Sequence, residues 1–243
     1  MEIEELKRWT TFVCFDIETT GLNPSNAEII EIGALKVRDG KVIQTFSEFI
    51  RPMNGVPKNI TALTGIKDTM VQDAAPVDIV IRRFIDFVEE DILIGHNIMF
   101  DYSFIKTAAN REHLHFEKKG IDTLELCRKL HKELESKSLE SMCKHYNIIN
   151  RHAHRAYDDA KATALLYVNL CNNFFGESPL VFKPKPLLYK VKKIQPITNR
   201  QKKTLIDLIK YHKIENILCN DTLTQNEASR LIDKINLEYG KMK

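Results

Sequence analysis

Past a polar start, Thr11-Phe-Val-Cys-Phe-Asp-Ile-Glu18 is rich in β-branched and aromatic residues and ends in two acids, the pattern of a strand. Gly21-Leu-Asn-Pro-Ser-Asn26 then has turn chemistry, and Glu28 to Arg38 carries a second strand pattern. Asp39-Gly40 joins it to a returning run, Val42 to Ile50. Asp-Gly tolerates positive φ at both positions, so the spacing predicts a tight antiparallel hairpin. From Pro76 to Glu90 the apolar positions shift to helical spacing, with proline at the start, where its missing N–H leaves no bond unmade. Ile92-Leu-Ile-Gly95 predicts a short buried strand, followed by a helix to about Arg111. Ile121-Asp-Thr123 gives a further strand, and 123–134, 138–146 and 156–175 give further helices. A strand meander followed by alternating strands and helices predicts an α/β fold, a mixed sheet with helices on its faces.

Pro179 to Pro196 breaks this rhythm with four prolines and five lysines, and reads as a linker. Beyond it, Thr198-Asn-Arg-Gln201 and Thr224-Gln-Asn-Glu227 match the capping-box pattern before apolar-periodic runs. Leu205, Ile206, Leu208 and Ile209 would line one helix and Leu231, Ile232 and Ile235 another, around an Ile214–Leu218 connector. The expected organisation is a main domain over 1–178, a linker over 179–196 and a small helical module over 197–243. A module of that size buries little core, so it is expected to dock or to be marginally stable.

Charge sharpens the division. Residues 180–243 hold 14 Lys+Arg and 6 Asp+Glu, whereas 1–179 hold 22 and 27, so a body of −5 carries a tail of +8. Such asymmetry points to a polyanionic partner or to a solvated basic tail. At 43% hydrophobic and 28% charged, the composition excludes disordered and collagen-like classes. The first residues are too polar for a signal peptide, no apolar run approaches a membrane span, and cysteines 14, 127, 143, 171 and 219 form no CxxC pair. Reduced thiols in a cytoplasmic protein are expected.

Asp16 and Glu18, two apart in a strand, share a face, and such a pair needs a compensating cation. Alone it is a common accident, but it has company. Asp101 follows Gly95-His-Asn-Ile-Met-Phe100 at a strand end, and Asp159 sits early in the 156–175 helix, five residues after His154. Five residues turn an ideal helix by about 140°, so His154 is expected on the preceding loop and Asp159 in the first turns.

Asp16-Ile-Glu18-Thr-Thr-Gly21-Leu22, Gly95-His96-Asn97-Ile-Met-Phe100-Asp101 and His154-Arg-Ala156-Tyr-Asp-Asp159 occur in that order. They resemble the three motifs of the DEDD exonuclease superfamily in its histidine-bearing (DEDDh) branch. That branch includes the proofreading subunit and exonuclease domain of bacterial DNA polymerase III. Ile60-Thr-Ala-Leu-Thr-Gly-Ile66 also resembles a loop of these proteins. The resemblance covers about residues 10–175 and implies a ribonuclease H-like fold. It implies Asp16, Glu18, Asp101 and Asp159 as ligands of two Mg²⁺ (or Mn²⁺), with Asp16 bridging them, and His154 as general base. The family pattern His-x-Ala-x-x-Asp selects His154 over His152, because Ala stands at 156 and His at 154. Arg155 stands where the tyrosine branch requires Tyr.

Two hard cations roughly 3.5–4 Å apart suit phosphodiester hydrolysis, one activating water and one supporting the leaving oxygen. A histidine of ordinary pKa ~6.5 can take the water's proton near neutral pH. The implied activity is 3′→5′ exonucleolytic release of nucleoside 5′-monophosphates from DNA. Thr19, Thr20, Gly21, Leu22, Asn97 and Phe100 match positions around the terminal nucleotide, with Leu22 as a wedge. Leu22 and Phe100 as plain core or rim residues remain the alternative, as does zinc held by His96, His152 and His154. RNA as substrate, or a silent nucleic-acid-binding protein, also stays open. Lys190, Lys192, Lys193, Arg200, Lys202, Lys203, Lys210 and Lys213 cluster in the tail, whose module loosely resembles SAP-type nucleic-acid-binding modules. At 243 residues, proofreading is expected to act in trans with a DNA polymerase subunit, and a membrane partner is not expected.

Overall fold

The computed structural model describes residues 10–192, 195–214 and 223–242, the side chain of Asn226 excepted. The chain divides into two units, 1–191 and 192–243.

In the first unit, β1 (Phe12–Thr19), β2 (Ile29–Arg38) and β3 (Lys41–Phe49) form the antiparallel meander. Asp39 and Gly40 turn the hairpin with φ of 49° and 73°, as the Asp-Gly pair requires. Helix α1 (Lys58–Thr64) follows, then α2 (Asp68–Val71) and α3 (Val77–Val88). Strand β4 (Leu93–Gly95) pairs parallel with β1; α4 (Ile98–Arg111) then leads to β5 (Lys119–Asp122), parallel to β4. Helices α5 (Thr123–Leu130), α6 (Leu139–His145) and α7 (Ala156–Phe174) come next. Strand β6 (Lys185–Pro186) closes a sheet of order β3-β2-β1-β4-β5-β6, the expected mixed sheet between helices.

Alternation along β1 builds a core on each face. Val13, Phe15 and Ile17 pack with Phe84 of α3 and with Tyr102 and Ile105 of α4. Phe12 and Cys14 face the other way, with Ala160, Tyr167 and Leu170 of α7. Asp16 and Glu18 continue that second row and are thereby aimed at the start of α7.

Two expectations change. The 60–66 segment, expected as a loop, contains α1, which Gly65 ends in the left-handed region at φ 73°. Ile60, Val56, Ile66 and Val71 supply its packing, so tertiary burial and not intrinsic propensity makes the helix. The stretch expected as a linker from residue 179 instead begins inside the first unit. A 3₁₀ turn at Pro179–Phe182 buries Phe182, and Leu187 is buried after β6. Proline is tolerated there because β6 is an edge strand, and the free Leu187 N–H donates to Lys118 O at 2.9 Å.

In the second unit, α8 (Asn199–His212) and α9 (Gln225–Tyr239) both carry complete capping boxes, Thr198 with Gln201 and Thr224 with Glu227. Leu205, Leu208, Leu223 and Ile235 form its core, against which Ile209, Ile214, Leu231 and Ile232 pack. Met1–Trp9, Lys193 and the connector beyond Ile214, Cys219 included, lie outside the described residues. Among the described residues, no helix is long and apolar enough to cross a membrane.

Candidate active site

The convergence depends on an intimate helix–strand contact. Gly33 of β2 is the cross-strand partner of Asp16, and a Cβ placed on it would fall 2.0 Å from the Tyr157 backbone nitrogen. Only glycine lets the first turn of α7 rest on the strand so closely. That contact brings Asp159 to the row of carboxylates on β1. Behind it, the Cys14 thiol donates to the carbonyl of Ala160 at 3.1 Å.

Glu18, His154 and Asp159 each offer a ligand atom within 4.8 Å of the other two. Asp16 and Asp101 are not members of that close group. Asp16 is half-buried beside it, and Asp101, 4% exposed, accepts the Ile17 N–H at 3.0 Å. Asp101 lies in the first turn of α4, whose N-cap Asn97 is left-handed at φ 67°. The exposed loop residue His154 is also left-handed, at φ 66°, and its N–H donates to Asp159 Oδ2 at 3.0 Å. Asn150 donates to Oδ1 of the same carboxylate at 2.5 Å.

The electrostatics are those of a site built for added positive charge. Burial, and then Asp101, Asp159 and Glu18, hold the Asp16 carboxyl well above the usual carboxylate range. Burial does the same to Asp101. Burial with Asp159 and Glu31 nearby pushes Glu18 up to about 8. Burial also raises Asp159, offset in part by hydrogen bonds from Asn150 and the His154 N–H. Carboxylates that resist ionising in one pocket fit hard divalent cations, which supply the missing charge and prefer oxygen donors. The residues present therefore fit such ions.

The three-histidine zinc alternative does not assemble. The His96 ring nitrogens lie 2.9 Å from the Thr123 hydroxyl and 2.8 Å from the Lys137 carbonyl, and burial lowers the pKa of the ring. His152 is an exposed partner of Asp158 at 3.4 Å. Of the other residues the motifs single out, Leu22 is 86% exposed, which removes the core alternative for that residue. Phe100 is half-buried with its ring 5.1 Å from Phe104, so it serves the core as well as the rim. Asn97 is exposed, and its N–H donates to Asp122. Thr19 is buried and donates to Gly21 O at 2.7 Å, and the Thr20 hydroxyl accepts the Glu28 N–H at 2.9 Å. Both threonines thus shape the turn that presents Leu22.

Four residues of the site escape a motif reading: Glu31, Gly33, Asn150 and the side-chain role of Arg155. Glu31 and Gly33 left a signal, an acid and a glycine inside the otherwise apolar Ile29-Ile-Glu-Ile-Gly-Ala34. Asn150 left none.

Residues 13–167 match the model of the Exonuclease family RNase_T. A PolC-type DNA polymerase III from Caldanaerobacter subterraneus subsp. tengcongensis is 43% identical over 159 residues, 65% of this chain and 11% of that protein. The PolC-type enzyme of Bacillus subtilis is 42% identical over 163 residues, again 11% of its length. The chain thus spans about a tenth of these curated relatives. Exonuclease X in complex with 5′-overhanging duplex DNA superposes at a TM-score of 0.55 with 27% identity, over 67% of this chain and 92% of that one. The nuclease domain of 3′hExo, a DEDDh family member bound to rAMP, shares the fold at a TM-score of 0.60 and 20% identity, over 72% and 96% of the two chains. With the match running from β1 into α7, the chain belongs to the RNase_T exonuclease family.

Proposed function

We propose that the protein is a 3′→5′ exonuclease that removes nucleoside 5′-monophosphates from the 3′ end of DNA, with two divalent cations, Mg²⁺ or Mn²⁺, held by Asp16, Glu18, Asp101 and Asp159. The observation that carries the reading is the meeting of Glu18 with His154 and Asp159 from segments far apart in sequence, beside the buried Asp101 and the half-buried Asp16. DNA is favoured because the 40–43% identical relatives are DNA polymerases and the 27% identical neighbour is bound to DNA.

In the reaction, water oxygen bonds to the terminal phosphorus and the P–O3′ bond breaks, leaving the 5′-monophosphate and a new 3′-hydroxyl. His154 takes the proton of the attacking water, and the departing O3′ takes one from solvent. Its loop position lets His154 approach with the substrate, and its tie to Asp159 keeps base and carboxylate together. The bound cations supply charge neutralisation and a more acidic water. The exposed Leu22 would wedge the terminal base, and Asn97 and Phe100 would lie near the terminal nucleotide.

The basic module from residue 192 would tether nucleic acid and raise its local concentration. In a proofreading role the exonuclease would act with a DNA polymerase in the cytoplasm. Digestion of matched single-stranded DNA and RNA, each labelled at the 5′ end, tests the reading. DNA shortened from its 3′ end with monophosphate products supports it; preferential loss of RNA would reassign the substrate, and no digestion with either metal would overturn it.

A further inference from the structure

Glu31 lies in the middle of β2 with 1% of its surface exposed, a place where an acid is costly unless fully paired. Its carboxylate accepts from Arg155 Nη2 at 2.8 Å, from Arg155 Nε at 3.1 Å, and from the Ala156 backbone N–H at 3.1 Å. The first two contacts are a fork against a fork, the geometry that fixes orientation as well as charge. The guanidinium also lies over the Phe49 ring, 5.1 Å from its centroid. Arg155 is the N-cap residue of α7, and its own side chain makes no capping bond. Glu31 therefore supplies, from a neighbouring strand, the acceptor that the first helical N–H would otherwise lack, and places its charge at the positive helix end.

The two residues so clamped follow directly on His154. Residues 151–154 are all exposed, so their own burial does not hold the turn. The turn is pinned at one end by Asn150 on Asp159 and at the other by the Glu31 clamp. His154 sits between them in a left-handed conformation that a non-glycine residue keeps only where its surroundings impose it.

We propose that Glu31 and Arg155 are a positioning pair: the clamp sets the backbone that directly follows His154 and so aims the imidazole toward Glu18 and Asp159. This rests on the exonuclease reading, and its test separates the two. The kcat and KM of Glu31→Gln and Arg155→Lys are measured on 5′-labelled single-stranded DNA at saturating Mg²⁺, at a temperature where circular dichroism shows each protein folded. Both substitutions are then repeated in a His154→Ala background. Each is expected to lower kcat about 10- to 100-fold with KM changed less than about 3-fold, and to cost less than about 3-fold more once His154 is gone. Equal losses in both backgrounds, or an unchanged kcat with only a lowered Tm, would overturn the pairing. Arg155→Lys keeps the charge and lies at a partly exposed site, so it serves if Glu31→Gln does not fold. Trypsin cleavage after Arg151 in the metal-free protein gives a readout independent of nuclease activity. It should quicken about 10-fold in Glu31→Gln relative to wild type, and an unchanged rate would overturn the proposal even if the wild type proved inactive.

Discussion

Replacing Gly33 with alanine tests whether α7 must lie directly on β2 for the site to form. The added Cβ would fall 2.0 Å from the Tyr157 nitrogen, 2.2 Å from the Ala156 carbonyl carbon and 2.4 Å from the Tyr157 Cα, where ordinary contact begins at 3.4 Å. The obstacle is backbone, not the far end of a flexible side chain, so the helix end must retreat by roughly 1–1.5 Å. Asp159 lies in that helix end and His154 precedes it by two residues, while the partner carboxylates stay on β1. A displacement of about 1 Å in a reacting group can cost on the order of 10²-fold in rate, and overpacking costs about 1–3 kcal/mol. G33A should therefore keep its far-UV circular dichroism, lose roughly 2–10 °C in Tm and lose about 100-fold or more in kcat. The assay is single-turnover cleavage of 5′-labelled DNA beside a thermal melt. Turnover within about 3-fold of wild type would refute the claim that this contact sets the site.

His154→Ala should lower kcat by roughly 10²–10⁴ and His152→Ala by far less; steady-state kinetics giving the reverse order would move the general base to His152. Metal-free protein should lose stability as pH rises from about 5 to about 8. Folded Glu18 holds its proton up to about 8, whereas the unfolded chain releases it near 4.5, so folding becomes less favourable across that window. The contribution is at most about 4 kcal/mol and less for the part of Glu18 that water still reaches. Melts with and without Mg²⁺ should show the larger stabilisation at pH 8; a metal effect confined to pH 5 would refute this account. Deleting 192–243, which leaves β6 and its packing intact, should raise KM for DNA and flatten its salt dependence; an unchanged salt slope argues against tethering.

The main features of the fold and site were legible because their signals are local. The period-2 run ending at Glu18 and the Asp39-Gly40 turn each encode their own geometry, and three motifs in order single out the His154 loop. The features that were not legible belong to pairs distant in sequence. Glu31 and Arg155 are 124 residues apart, and nothing near either announces the other. Gly33 shows its purpose only against Tyr157. Pro184 and Pro186 read as a linker because proline breaks most strands, yet at a sheet edge the missing N–H has no partner to lose. Helix α1 was hidden because Ile60-Thr-Ala-Leu-Thr64 has weak intrinsic propensity and gains its order from packing.

The most direct test of the central claim is the digestion of 5′-labelled single-stranded DNA by the pure protein and its Asp16→Asn and Asp159→Asn variants, in Mg²⁺ and in EDTA. Stepwise shortening from the 3′ end with nucleoside 5′-monophosphates released is expected from the wild type in Mg²⁺ alone. Undiminished digestion by either variant, or by the wild type in EDTA, would contradict it.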